Sequence, residues 1–247
     1  MKLWRRCLTA LLALSLLIGA APGEGRGDLA ERFADVPRVA YGGETYYLRD
    51  RLSAVMVAGL LPDESDGLPR ADFAAILVID DNAKRVTPIY IDGQMTVEVR
   101  GGSLPLREVC TLEETPAEGC AQIREVVNKL LGGELVVHYM GIDLDGITGI
   151  DGFEGIVGDA RERLRQLRRM LERIPSKQLN EMYGELSDFL ITDMKSGAVM
   201  RMIDRAERYE IAEAAELPVL RRDELLFPDM DGILGLVIGV FCEADLL

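Results

Sequence analysis

The chain has a single histidine, His138, in 247 residues. A nucleophile–histidine dyad or a histidine metal site would have to be built around that one side chain, and between Val137 and Tyr139 it reads as a packed or surface histidine instead. Positive charge is also scarce: 28 lysines and arginines face 42 aspartates and glutamates, a formal net charge of −14. Nucleic-acid binding depends on lysine and arginine neutralising phosphates, so this balance argues against a nucleic-acid surface. No Gly-x-Ser-x-Gly, P-loop or His-Glu-x-x-His motif is present, nor any internal repeat or low-complexity segment. Asp143, Asp145, Asp151 and Asp159 do not form a calcium loop. Asp-Leu-Asp-Gly-Ile lacks the third ligand and the terminal bidentate glutamate, so these are read as turn and cap residues.

Long apolar runs are missing as well. Ile233–Phe241 is far too short to cross a bilayer, which takes about 20 apolar residues, and Cys7–Ala21 is short for a permanent anchor. That early run follows Met-Lys-Leu-Trp-Arg-Arg and precedes Pro22-Gly23-Glu24-Gly25, the layout of an export signal. Gly19-x-Ala21 and Ala21-x-Gly23 offer small-residue cleavage sites. Cleavage and a short uncleaved anchor both stay open, but no cysteine ends the run, which argues against a lipid-anchored lipoprotein. The organisation expected is a signal or anchor over 1–23, a spacer over 24–37 and one domain over 38–247, with its core at about 38–206. The protein is expected outside the cytoplasm and close to the membrane. Of the four cysteines, three lie beyond the leader. A Cys110–Cys120 disulfide with Cys242 left over and three unpaired thiols are both consistent with this pattern.

What is present is an alternation of strand and helix signals. Val39–Leu48 and Ala54–Leu60 read as strands around the charged Arg49-Asp50-Arg51. Phe73–Ile79 is an almost unbroken apolar run, the pattern of a strand buried on both faces, and Asp80-Asp81-Asn82 supplies turn chemistry before a second strand at Val86–Ile91. Pro88 counts against that second strand. Met95–Val99 is expected to continue the sheet, closed by Gly101-Gly102. Ile123, Val126, Val127, Leu130 and Leu131 follow a helical period stopped by Gly132-Gly133, and Leu135–Ile142 resumes strand character. Asp159–Ile174 is a helix with Leu164, Leu167, Leu171 and Ile174 on one stripe and Arg161, Arg165, Arg169 and Arg173 opposite, with Arg168 beside them. Residues 178–206 read as helical and Tyr209–Ala212 as extended. The alternation predicts an α/β fold, an αβα sandwich whose mixed central sheet is covered by helices.

Arg70 and Asp72 stand where the buried strand begins. By themselves they read as an exposed ion pair worth at most about 1 kcal/mol. Their context changes that reading. Four features in order resemble the LytR-CpsA-Psr family of cell-envelope proteins across roughly Val39–Ala206. They are Ala54-Val-Met-Val-Ala-Gly59; Arg70-Ala71-Asp72-Phe73 leading into Ala-Ile-Leu-Val-Ile-Asp-Asp-Asn; Gly119–Gly133 followed by Val-Val-His-Tyr-Met-Gly-Ile-Asp-Leu-Asp-Gly-Ile147; and Arg165-Gln166.

The resemblance implies a sandwich that buries a polyprenyl chain and holds its pyrophosphate with arginines and Mg²⁺. Members transfer lipid-linked glycopolymers onto peptidoglycan. The chemistry is coherent, because guanidinium neutralises a pyrophosphate bidentately and Mg²⁺ takes one or two carboxylates plus phosphate oxygens. By position, Arg70 and Asp72 match the arginine and metal-binding aspartate of the family's Arg-Ser-Asp-Thr motif. Arg165 and Gln166 match its late Arg-Gln pair. The implied catalytic arginines are Arg70 and Arg165, and the implied substrate contacts add Arg161, Gln166 and Arg168.

The pattern is incomplete. The family's other metal aspartate falls near Leu61, with Asp63 as substitute, so the implied metal pair is Asp72 and Asp63. The arginine of its Ile-Pro-Arg-Asp motif falls on Gly93, and the segment carrying an Arg-x-Arg pair is missing where Gly149–Gly158 runs into the arginine helix. For Arg161, Arg165 and Arg168 a ligand contact and a solvated face are equally consistent with the sequence; for Arg169 and Arg173 the solvated face is preferred. Two functions follow: a phosphotransferase with reduced or lost catalysis, in the limit a pseudoenzyme, or a non-catalytic lipid-binding or structural protein of the envelope.

Overall fold

A computed structural model describes residues 39–41, 44–49, 51–150, 155, 157–158, 162–163, 166, 184–198 and 208–244. In chain order the elements begin with β1 (Val39–Tyr41), β2 (Glu44–Leu48), β3 (Leu52–Pro62), β4 (Pro69–Asp80) and β5 (Arg85–Ile91). The hairpin β6 (Thr96–Val99) and β7 (Gly102–Pro105) leads through a 3-10 helix, Leu106–Leu112, into α1 (Pro116–Leu131) and β8 (His138–Asp143). After a 3-10 turn at Gly146–Gly149 come β9 (Leu190–Thr192), β10 (Glu210–Ile211), β11 (Ala215–Glu216), β12 (Val219–Arg222), β13 (Leu225–Pro228), α2 (Met230–Phe241) and β14 (Cys242–Ala244). The main sheet runs β10-β5-β4-β3-β8-β9, with β11 also beside β5. It is mixed: β3, β4 and β5 are antiparallel neighbours, β8 lies parallel to β3, and β9 returns antiparallel to β8.

The two central strands are apolar on both faces because both faces are covered. Ala54, Met56, Ala58 and Leu60 of β3 and Ala74, Ile76 and Val78 of β4 share one buried cluster with Ile123, Val126 and Val127 of α1 and Ile233, Val237 and Phe241 of α2. The alternate residues Val55, Val57, Ala75, Leu77 and Ile79 are buried too, outside that cluster and so on the opposite face. The C-terminal segment belongs to this body. Besides α2 in the core, β14 pairs with β2, and β10 and β11 pair with β5.

Local chemistry sets the boundaries. Thr115 caps α1 through Glu118 in a reciprocal capping box, Pro116 occupies the first turn, and Gly132 ends the helix at φ 80°. Asp80 accepts from the backbone N–H groups of Asn82 and Ala83, which turns β4 into β5. Pro88 is accommodated within β5 for a geometric reason. The carbonyls of Lys84, Val86 and Tyr90 all accept from the 210–217 segment, so the even residues of β5 aim their polar groups that way. The missing N–H of Pro88 therefore faces the gap between β10 and β11 and costs the β4–β5 ladder nothing.

Two expectations differ from the structure. Thr96–Val99 does not continue the main sheet; it pairs with β7 across Arg100 and Gly101, both at positive φ, as a separate ribbon. The 178–206 stretch, read as helical, contains β9 at Leu190–Thr192, where Met140–Ile142 offer a free sheet edge. Edge pairing is a tertiary demand that outweighs local periodicity. The helix of Asp159–Ile174 lies largely outside the described residues, as does the leader. Among the described residues no helix is long and apolar enough to cross a membrane.

Candidate functional site

The site lies where β3 ends and β4 begins. Their ladder slips between Gly59 and Leu60: Gly59 pairs with Phe73 but Leu60 with Ala71, leaving Asp72 as the extra residue of a β-bulge. A bulge re-aims a side chain out of the strict alternation, and Asp72 is left one-third exposed in an otherwise buried strand. The connecting loop is built on its own aspartates. Asp63 accepts from the backbone N–H and hydroxyl of Ser65, and Asp66 from the N–H of Leu68.

Arg70 is folded beneath this loop. Its Nη1 and Nη2 donate to the two oxygens of Asp66 at 2.9 Å each, its Nε donates to Glu108 at 2.7 Å, and Asp63 lies 3.1 Å from Nη1. All three nitrogens of the fork are engaged. The hydrogen bonds to Asp66 and Glu108 hold the guanidinium firmly protonated. Ser65 and then Arg70 hold Asp63 below the usual carboxylate range, and Arg70 does the same for Asp66.

A second arginine stands beside them. Arg107, on the first turn of the 3-10 helix, lies 3.5 Å from Asp72 through Nη1 and 3.4 Å from Glu108 through Nε. Its Nε is buried with no hydrogen bond, while the side chain is one-third exposed. The backbone N–H of Arg107 donates to the carbonyl of Gly93 at 2.9 Å. A Cβ at position 93 would come within 3.1 Å of the Ala71 carbonyl and 3.4 Å of the Arg107 Cβ. Gly93 is therefore less a hole than a floor on which Arg107 rests. Among the described residues, two guanidiniums face four carboxylates around this mouth, Asp63, Asp66, Asp72 and Glu108.

Asp72 suits a single carboxylate ligand for Mg²⁺, since its one protein contact is long. Asp63 does not, because its oxygens are spent on Ser65 and Arg70. Among the described residues no group of three or more His, Cys, Asp and Glu could hold a metal. Mg²⁺ commonly keeps waters and phosphate oxygens and needs only one or two carboxylates.

The other sequence-derived positions are distributed differently. Gln166 brackets Val157, donating to its carbonyl at 2.7 Å and accepting from its N–H at 3.2 Å, so its amide is used locally. Arg161, Arg165 and Arg168 lie outside the described residues. Arg163, which the sequence did not single out, donates to Asp145 at 2.9 Å and to the Gly158 carbonyl at 3.0 Å, tying the helix start to the loop after β8. Asp143 caps that loop by accepting from Asp145 and Gly146. His138 pairs with Asp193 at 3.3 Å beside Val55, six positions along β3 from Leu61, the partner of Arg70, and so about 20 Å from the mouth. Cys110, Cys120 and Cys242 are free and buried. The thiol of Cys120 is pushed up by its hydrogen bond with Cys110 and by burial. Asp66, Arg107 and Glu108 were missed from sequence because nothing local to them signals a shared site; Glu108 meets Arg70 across 38 residues.

A mixed sheet covered on both faces, with an arginine–carboxylate mouth at the β3–β4 turn, defines a divergent LytR-CpsA-Psr-like αβα fold. TagV of B. subtilis superimposes with a TM-score of 0.57 at 11% identity, over 78% of this chain and 98% of that one. TagT bound to LI-WTA gives 0.53 at 10% identity, over 77% and 90%. A structure described as a transcriptional regulator from Enterococcus faecalis gives 0.54 at 14% identity, over 76% and 86%. At such identities the likeness is one of fold. No family model and no curated protein matches the sequence.

Proposed function

We infer that this is an extracytoplasmic cell-envelope protein that binds a polyprenyl phosphate or pyrophosphate lipid, or a glycopolymer linked to one, with catalysis reduced or lost. The observation that carries the second half is the state of Arg70. A guanidinium held by three carboxylates, with four of its five N–H groups directed at them, has little charge or donor capacity left for a pyrophosphate. Removing one preorganised donor commonly costs a transfer enzyme about 10²- to 10³-fold in rate. The first half is supported by the fold shared with TagT, whose structure holds LI-WTA, and by the export layout of the first residues. Asp72 is the residue that would hold Mg²⁺, and the ion would supply positive charge beside the carboxylates that the described residues bring to the mouth. The net charge of −14 weighs against a DNA-binding role for this chain, since duplex DNA would be repelled.

The test has two readouts in one sample. Geranylgeranyl pyrophosphate with Mg²⁺ should raise the unfolding temperature of the purified domain, and hydrolysis or transfer of the pyrophosphate should stay near background. No thermal shift would refute lipid binding. Turnover at rates typical of enzymes, about 1 per second or faster, would refute the loss of catalysis.

A further inference from the structure

Resting on that reading, we propose that Arg107, not Arg70, is the side chain that contacts the ligand's phosphate group. The two arginines at the mouth differ in what they have left to give. Arg70 is a structural clasp: Asp66 takes it bidentately, Glu108 takes Nε, and Asp63 closes the third side. Its side chain is 12% exposed. Arg107 has two carboxylate contacts, at 3.5 and 3.4 Å, neither at good hydrogen-bond distance. Its buried Nε makes no hydrogen bond, with Glu108 3.4 Å away, and a third of the side chain is open to solvent.

Two long carboxylate contacts leave this guanidinium able to donate elsewhere, and phosphate oxygens would take it in charge-assisted hydrogen bonds. The placement is fixed from below. The backbone hydrogen bond from Arg107 to the Gly93 carbonyl sets the stem beside the Asp72 bulge. The guanidinium and the one carboxylate free to take a cation therefore lie side by side, which is the arrangement a Mg²⁺-bound phosphate requires. A Cβ at 93 would crowd the Ala71 carbonyl at 3.1 Å and touch the Arg107 Cβ at 3.4 Å, so a longer side chain there would compete with this stem for room.

The experiment is calorimetric titration of the purified domain with inorganic pyrophosphate and with geranylgeranyl pyrophosphate, in Mg²⁺. Wild type is compared with Arg107→Gln, Arg107→Lys and Arg70→Gln, and thermal unfolding is recorded for each. Loss of one charge-assisted contact predicts about 10- to 100-fold weaker binding of both probes by Arg107→Gln. Arg107→Lys, which keeps the charge but not the fork, should recover part of it. Arg70→Gln should lower the unfolding temperature more than it weakens binding. If wild type binds and Arg107→Gln binds equally well, or loses only the lipid probe, the assignment to Arg107 fails while lipid binding stands. If wild type binds neither probe, both fall.

Discussion

Placing an arginine at position 93 is the sharpest perturbation of this site. Substitution to alanine adds only a Cβ, 3.1 Å from the Ala71 carbonyl and 3.4 Å from the Asp72 carbonyl and the Arg107 Cβ. The Ala71 carbonyl must yield by a few tenths of an ångström, while the other two are at ordinary contact distance. Gly93 is not in the left-handed region, so the smaller entropy of the unfolded chain returns about 0.4–1 kcal/mol. Gly93→Ala should accordingly come out near neutral. Gly93→Arg carries the same Cβ plus a stem that must pass the stem of Arg107, and overpacking of this kind costs about 1–3 kcal/mol. Net destabilisation of about 1–2 kcal/mol corresponds to a fall in Tm of about 2–8 °C for a domain of this size. Calorimetric scans of wild type, Gly93→Arg, Arg107→Gly and the double variant close a cycle in which the two sites are in contact. The loss at 93 should be largely absent when Arg107 is already glycine, a coupling of about 1 kcal/mol or more. A Gly93→Arg protein as stable as wild type, or additive losses in the double variant, would refute the idea that Arg107 fills the place of a residue-93 side chain.

The remaining predictions concern the frame of the site. Gly119→Ala and Gly239→Ala make the same change in two helices with opposite expected signs. The Cβ at 119 would meet the Cys110 Cα at 2.9 Å, whereas nothing lies within 4 Å at 239. The second should stabilise by up to about 1 kcal/mol and the first should destabilise by urea titration, and a reversed order would overturn the packing described. Cys110, Cys120 and Cys242 are buried, and the thiols of Cys120 and Cys242 are pushed up, so in purified reduced protein these three should react with a thiol reagent near neutral pH only after denaturant is added; prompt reaction of any thiol besides Cys7 would contradict their burial. The pH dependence of Asp66→Asn has a defined sign. Asp66 is held below its ordinary range by Arg70, so its contribution is present above the unfolded carboxylate value and is lost as the pH falls through the lower folded value. At low salt the stability gap between wild type and Asp66→Asn should be open near neutral pH and close below about pH 4. A gap that does not depend on pH would show that the Arg70 clasp is not ionic.

The sequence by itself determined the elements whose cause is local. Two-sided burial of β3 and β4 is written in Ala54–Leu60 and Phe73–Ile79, the stop of α1 in Gly132, and the β4–β5 turn in Asp80 and Asn82. The αβα arrangement follows from their alternation. Only the tertiary structure decided what the charged doublet does. Arg70 and Asp72 were legible as residues worth interpreting, but Glu108, one of the three partners of Arg70, arrives from 38 residues away and Arg107, the partner of Asp72, from 35. Periodicity records which face of an element is buried; it carries no information about which distant loop closes over it. The same holds for β9, which is a strand because β8 offers it an edge, and for Pro88, tolerated because its missing N–H meets a gap. Gly93 shows the division most plainly, since in sequence it is an absence and in the fold it is the surface on which Arg107 stands.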